Sequence, residues 1–251
     1  MWSQVASMIP FQGWALLIVY LRVQACVIAL PGLGESVLPL RVRVAAAMAL
    51  TPLLAEGIPP GASPEDLAGG LALAASELVI GLAAGMLIRL LALALDMATT
   101  AIAATASLSQ LVGVQNEAAP HPIGNLLHLG GIAILMALGL PVMLANLLAD
   151  SFLLWPPGSL PDIDRLAPAA VQVLADSFLL AMMIAAPFTL GGLLFQALSG
   201  VISRVMPSLP VVFIGSPGAI LLALVALAVL APMLIGIWAD AVLQFTLPRP
   251  G

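Results

Sequence analysis

The stretch Leu67–Leu95, LAGGLALAASELVIGLAAGMLIRLLALAL, decides the fold. It holds only two charged side chains, Glu77 and Arg89, in a run longer than the roughly 20 apolar residues that cross a bilayer core of about 30 Å as a helix. Backbone amides left unpaired in hydrocarbon are too costly for any open structure, so such a run is helical. Asp96 then interrupts it, and a weakly polar continuation of small residues, MATTAIAATASLSQ, makes the region more than one simple span.

On the N-terminal side, Phe11 to Leu30 has the length of a span and carries one charge, Arg22, before Pro31 and Gly32 end it. The N-terminus, MWSQVASMIPFQGW, lacks the positive region of a cleavable signal, so the first apolar stretch is expected to remain as a helix. After GLGESVLPLRVR comes Val44 to Ala55, which reaches spanning length only if the helix begins near Leu38 and takes in Arg41 and Arg43. EGIPPGASPED is a loop by its turn chemistry.

On the C-terminal side, Leu129 to Ala149 is free of charge, with a kink expected at Pro141, and it ends in the loop DSFLLWPPGSLPDIDR. Ser177 to Ser203 is uncharged, with bending points expected at Pro187 and at Gly191 and Gly192. Val205 to Ala239 divides at Pro207, Pro210 and Gly215–Gly218 into a turn and a last helix from about Ala219, ending at Asp240. The fold class that follows is an all-α membrane protein of about six hydrophobic helices arranged as kinked hairpins. Arginines in the connections fall three to one side (Arg41, Arg43, Arg204) and two to the other (Arg165, Arg249), a margin of one in favour of an external N-terminus. The hexapeptide ADSFLL occurs at 149–154 and again at 175–180, with flanks that do not match, which reads as coincidence rather than duplication.

Composition narrows the function. Residues are 62% hydrophobic and 8% charged, whereas a soluble domain carries about a quarter charged residues, so lipid or protein must surround most of the chain. The twelve acids behind the net charge of -5 are scattered through loops and helix ends. All seven basic residues are arginine, which leaves no phosphate-tracking patch for nucleic acid. Without lysine there is neither a Walker loop nor a Schiff base. Two histidines, His121 and His128 at i, i+7, read as polar lining rather than a metal pair, and Cys26 has no partner in the chain. No catalytic residue, cofactor or metal is expected, and the chain is read as not an enzyme.

Charges within apolar runs remain as candidate sites: Arg22, Glu77 and Arg89. Glu77 and Arg89 are twelve residues apart, about 120° around a helix, so they face different neighbours and each is expected to pair with another helix. An ion pair fixing assembly is favoured over a proton relay. Gly81 and Gly85 form a GxxxG step that lets backbones approach closely. The segment SLSQLVGVQNEAAPHP reads either as an exposed loop or as a non-helical constriction lining a cavity.

Three stretches, LRVQACVIALPGLGESVLPLRVRVAAAMALTPLLA, ELVIGLAAGML and, most specifically, MPSLPVVFIGSPGAILLAL with its pattern VFxxGxPxxI, resemble the FliR family of the flagellar type III export gate and its injectisome counterpart, over essentially the whole chain. The resemblance implies a subunit that forms with FliP and FliQ a pore for unfolded flagellar substrates, with FlhB and FlhA as further partners, in the bacterial inner membrane at the flagellar basal body. It implies a FliP-like part over 1–165, with a pore-plug loop near 106–122, and a FliQ-like hairpin over 166–251. Leu111, Val112, Gly113 and Val114 would then lie at the constriction, and hydrophobic helices would face other subunits more than lipid. The alternative, from the residues alone, is a stand-alone small-solute or proton-coupled transporter using Glu77, Arg89, Arg22 and Asp176.

Overall fold

A computed structural model describes residues 11–35, 38–56, 66–105, 122–161, 163–206 and 211–247. Among them are seven helices and no strand: α1 (Phe11–Ala29), α2 (Leu40–Ala55), α3 (Leu67–Thr105), α4 (Pro122–Leu138), α5 (Leu140–Leu154), α6 (Ile163–Val205) and α7 (Val211–Leu243). The all-α membrane class holds. Among the described residues three helices are long and apolar enough to cross a membrane alone, Leu67–Ile102, Leu166–Val205 and Pro217–Leu243, a bent pair, Gly124–Leu138 with Leu140–Leu154, would make a fourth, and Gly13–Ala29 is a shorter apolar helix; the runs break at other places than expected.

The differences have local causes. The run from Leu67 does not divide at Asp96; it stays one helix of 39 residues, about 58 Å at 1.5 Å per residue. Thr99 and Thr100 send their hydroxyls back to the Asp96 carbonyl (3.0 and 2.8 Å), so the polar continuation satisfies itself within the helix. Leu129–Ala149 does break, with a bend of 68°. Gly139 adopts φ 116°, a conformation that L side chains rarely adopt, and Pro141 sits in the first turn of α5, where its missing amide costs nothing. Conversely, Pro187 and the Gly191–Gly192 pair lie inside a continuous α6, and α7 begins at Val211 and carries Pro217 and Pro232 within it. It ends at Leu243, past Asp240.

Two compact units contain the described residues. The first draws on Met1–Leu91, Leu135–Leu174 and Val242–Gly251, and the second on Ala92–Ile134 and Ala175–Ala241. In the first unit, α1 buries Ile18, Val19, Val23 and Cys26, a helical stripe that Leu30 continues just past its end, with the Arg22 side chain in the same row. α2 packs on α1 and touches α5. The GxxxG step of α3 makes the closest approach: a Cβ at Gly81 would collide with the Arg22 carbonyl oxygen, and one at Gly85 would lie 2.6 Å from the Cys26 carbonyl and 2.7 Å from Ala29 Cβ. In the second unit Trp238 of α7 is buried against α3 and α4. Its Nε1–H donates to the Ala92 carbonyl (3.1 Å), and its ring lies over Gly131, where a Cβ would meet Leu95 Cδ2 at 2.5 Å.

Replacing Gly81 by alanine is expected to lower stability by about 1–3 kcal/mol, since the added methyl meets backbone rather than a movable side chain. Gly130→Ala, which meets nothing within 4 Å, is expected to be neutral or stabilising by up to about 1 kcal/mol through helix propensity. Unfolding of the two variants in detergent, by heat or by a titrated denaturing surfactant, checks the contrast.

Candidate functional site

Arg22, placed by α1 inside the first unit, and Glu77, placed by α3, meet as a fully buried ion pair, Nε to Oε2 at 2.7 Å. The remaining donors of the guanidinium turn to the end of α5. Nη1 donates to the Ser151 carbonyl (2.9 Å) and the Ser151 hydroxyl (3.3 Å), and Nη2 to the Trp155 carbonyl (3.0 Å). The Ser151 carbonyl already accepts the Trp155 amide (2.9 Å), so Arg22 supplies its second bond, and a buried cation suits the negative end of the helix dipole there. Phe152 completes the enclosure, its ring centroid 3.9 Å from Cζ. Glu77 is held on its far side as well: Oε1 accepts the Gly158 amide (3.1 Å), and Gly158 presents that amide from φ 82°, with Leu73 so near that a Cβ would lie 3.1 Å from it.

The knot thus ties α1, α3, the end of α5 and the turn after it. Of the sequence candidates, Arg22 and Glu77 come together with each other. Arg89 lies elsewhere, as their 120° separation requires, and its partner is Glu35 in the turn after α1 rather than a residue of another helix (Nη2 to Oε1, 3.5 Å). The same turn is braced from α2 by Arg43, whose Nη2 donates to the Glu35 and Leu38 carbonyls (3.1 Å to the latter). In the second unit, His128 Nδ1 lies 2.6 Å from Asp96 Oδ1, linking α4 to α3. Among the described residues no group of three or more His, Cys, Asp or Glu could hold a metal ion. His121 and the expected plug residues Leu111, Val112, Gly113 and Val114 lie outside the described residues.

Sequence reasoning missed half of the knot. Three of its contacts are main-chain groups, the Ser151 and Trp155 carbonyls and the Gly158 amide, which no side-chain pattern announces. The signal that existed was the sequence SFLLWPPG, a helix end followed by Pro-Pro-Gly, with polar backbone to spare. The two ADSFLL copies are used differently: Phe152 covers Arg22, whereas Phe178 is 57% exposed.

A family model described as bacterial export proteins, family 1, matches residues 14–245. The flagellar biosynthetic protein FliR of Caulobacter vibrioides is 29% identical over 234 residues, 92% of this chain and 93% of that protein. The flagellar biosynthetic protein FliR of Pectobacterium carotovorum subsp. carotovorum is 23% identical over 217 residues, 86% of this chain and 83% of its own.

Arg22→Met and Glu77→Met are each expected to cost about 3–5 kcal/mol, because each leaves a buried charge without its counter-ion. The double variant is expected to be more stable than either single one. A double-mutant cycle on unfolding in detergent measures the coupling.

Proposed function

Since the chain belongs to the FliR family of bacterial export proteins, we propose that it is a subunit of the flagellar protein export gate in the bacterial inner membrane, forming with FliP and FliQ the pore for unfolded flagellar substrates. The family is a component of the flagellar export apparatus, a structural or transport role rather than a known enzyme class.

The observation that carries the proposal is the surface of α6 and α7. α6 has 43 residues, about 64 Å of helix, roughly twice the hydrocarbon thickness of a bilayer. Large apolar side chains stay exposed along most of it, from Phe178 and Met182 through Leu194 to Val205, and Leu222 and Val229 of α7 are 72% and 71% exposed. Lipid covers only about half of such a helix, so the remaining apolar length calls for sibling subunits. Gly215, at the start of α7, lies against the Phe195 ring of α6, where a Cβ would be 3.3 Å from it, in keeping with a hairpin over 166–251 of the FliQ kind. Residues 1–165 would supply the FliP-like part and the plug near 111–114, with FlhB and FlhA docking on the assembled gate at the basal body.

The transporter alternative draws less support. Arg22 and Glu77, the charges it would need most, are enclosed and spent on each other and on backbone.

Deleting the gene is expected to abolish swimming and flagellin secretion, and the tagged full chain is expected to co-purify with FliP-like and FliQ-like proteins. A strain that stays motile without it, or a purified chain that is a stable monomer and moves solutes in liposomes by itself, would contradict the proposal.

A further inference from the structure

Two of the chain's seven arginines, Arg43 and Arg89, meet at Glu35 in the turn after α1, and a third, Arg41, lies two residues from Arg43 in the first turn of α2. Arg43 and Arg89 reach different atoms of Glu35. Arg89 of α3 reaches its carboxylate, and Arg43 of α2 reaches its main-chain carbonyl. The Arg89 pair is loose, at 3.5 Å with the two side chains 35% and 23% exposed, so most of that guanidinium's donors are unspent. Arg43 is held by its Nη2 alone, and its Nε–H is buried with no acceptor. A buried donor without a partner carries a desolvation cost that an incoming acceptor would relieve. Arg41 is exposed in the first turn of α2, a helix that Pro39 opens with no side-chain cap. Its first-turn amides add a partial positive charge at the same end.

Two guanidinium groups at one carboxylate-bearing residue, with a third arginine near in sequence, leave positive charge over, in a chain whose net charge is -5. The geometry points to a binding site for a phosphate-type oxyanion at this turn, with Arg43 and Arg89 as its principal donors and Arg41 at its open edge. We propose that Glu35 is the acceptor the phosphate displaces. A phosphate has more acceptor oxygens than a carboxylate and a geometry that guanidinium forks match. The group has two possible sources, the headgroup of an anionic phospholipid and free phosphate, and basic clusters between membrane helices commonly take the former.

The test uses the purified full chain and two probes. In one arm the chain is exchanged into nanodiscs of mixed phosphatidylglycerol and phosphatidylcholine and the lipid it retains is read by native mass spectrometry. In the other, inorganic phosphate is titrated onto the chain in a zwitterionic detergent. Preferential retention of phosphatidylglycerol that free phosphate does not displace assigns a lipid headgroup; saturable phosphate binding with no lipid preference assigns the free anion. In either case Arg89→Gln, at a half-exposed and loosely paired position, is expected to weaken binding about tenfold, the loss of one charge-assisted contact. Arg43→Gln is expected to do the same, Glu35→Gln to tighten binding by removing the competing carboxylate, and Arg204→Gln, at the end of α6, to change nothing. A purely structural Glu35–Arg89 pair predicts no gain from Glu35→Gln. Failure to hold either probe, or binding that is the same in Arg89→Gln and Glu35→Gln as in the parent chain, overturns the proposal.

Discussion

The first unit is organised around one charge that cannot be left alone. A guanidinium in the middle of an apolar helix has to find a counter-ion and hydrogen-bond acceptors inside the protein, because hydrocarbon supplies neither. Arg22 finds Glu77 of α3 and two carbonyls at the end of α5, those of Ser151 and Trp155, and Glu77 in turn takes the amide of Gly158. Elements far apart in sequence are thereby held at fixed distances. An apolar contact could slide by a turn at small cost, whereas this arrangement satisfies its polar atoms in one register only. Buried pairs are weak sources of net stability but good sources of uniqueness in some systems, and that is the use the geometry suggests here.

Close approach of the backbones is what lets the pair form. Gly81 and Gly85 lie one and two turns beyond Glu77 on α3, and they bring that helix down onto the carbonyls of Arg22 and Cys26. Side chains larger than hydrogen there would lift α3 away from α1 and lengthen the 2.7 Å contact. The small residues and the ion pair are therefore parts of one device. The second unit uses different means for the same end, with Trp238 anchored by its indole N–H on Ala92 and the His128–Asp96 contact joining α4 to α3.

Much of this was legible in the sequence, and the limits have physical reasons. Hydropathy and length gave the helical membrane class, and charges inside apolar runs pointed to Arg22, Glu77 and Arg89. GxxxG identified the close-packed face of α3. Hydropathy could not give the number of crossings, since it does not distinguish a side chain facing lipid from one facing protein. Proline was the least informative signal. Pro141 follows a real break, made by the left-handed Gly139, while Pro187, Pro217 and Pro232 are carried within helices. The partner of Arg22 was hidden for another reason: pairing across 55 residues leaves no local pattern, and backbone acceptors leave none at all.

The apolar surface of α6 and α7 is a separate matter from the knot that organises the first unit. The central claim is that the Glu77 carboxylate holds α1, the end of α5 and the following turn together. Hydrogen–deuterium exchange of the full chain carrying Glu77→Gln tests it most directly. Faster exchange is predicted together around residue 22, across 151–155 and at 158, with the second unit unchanged. Exchange that rises only in the turn of α3 around residue 77, while the other segments keep their parent rates, would contradict the account.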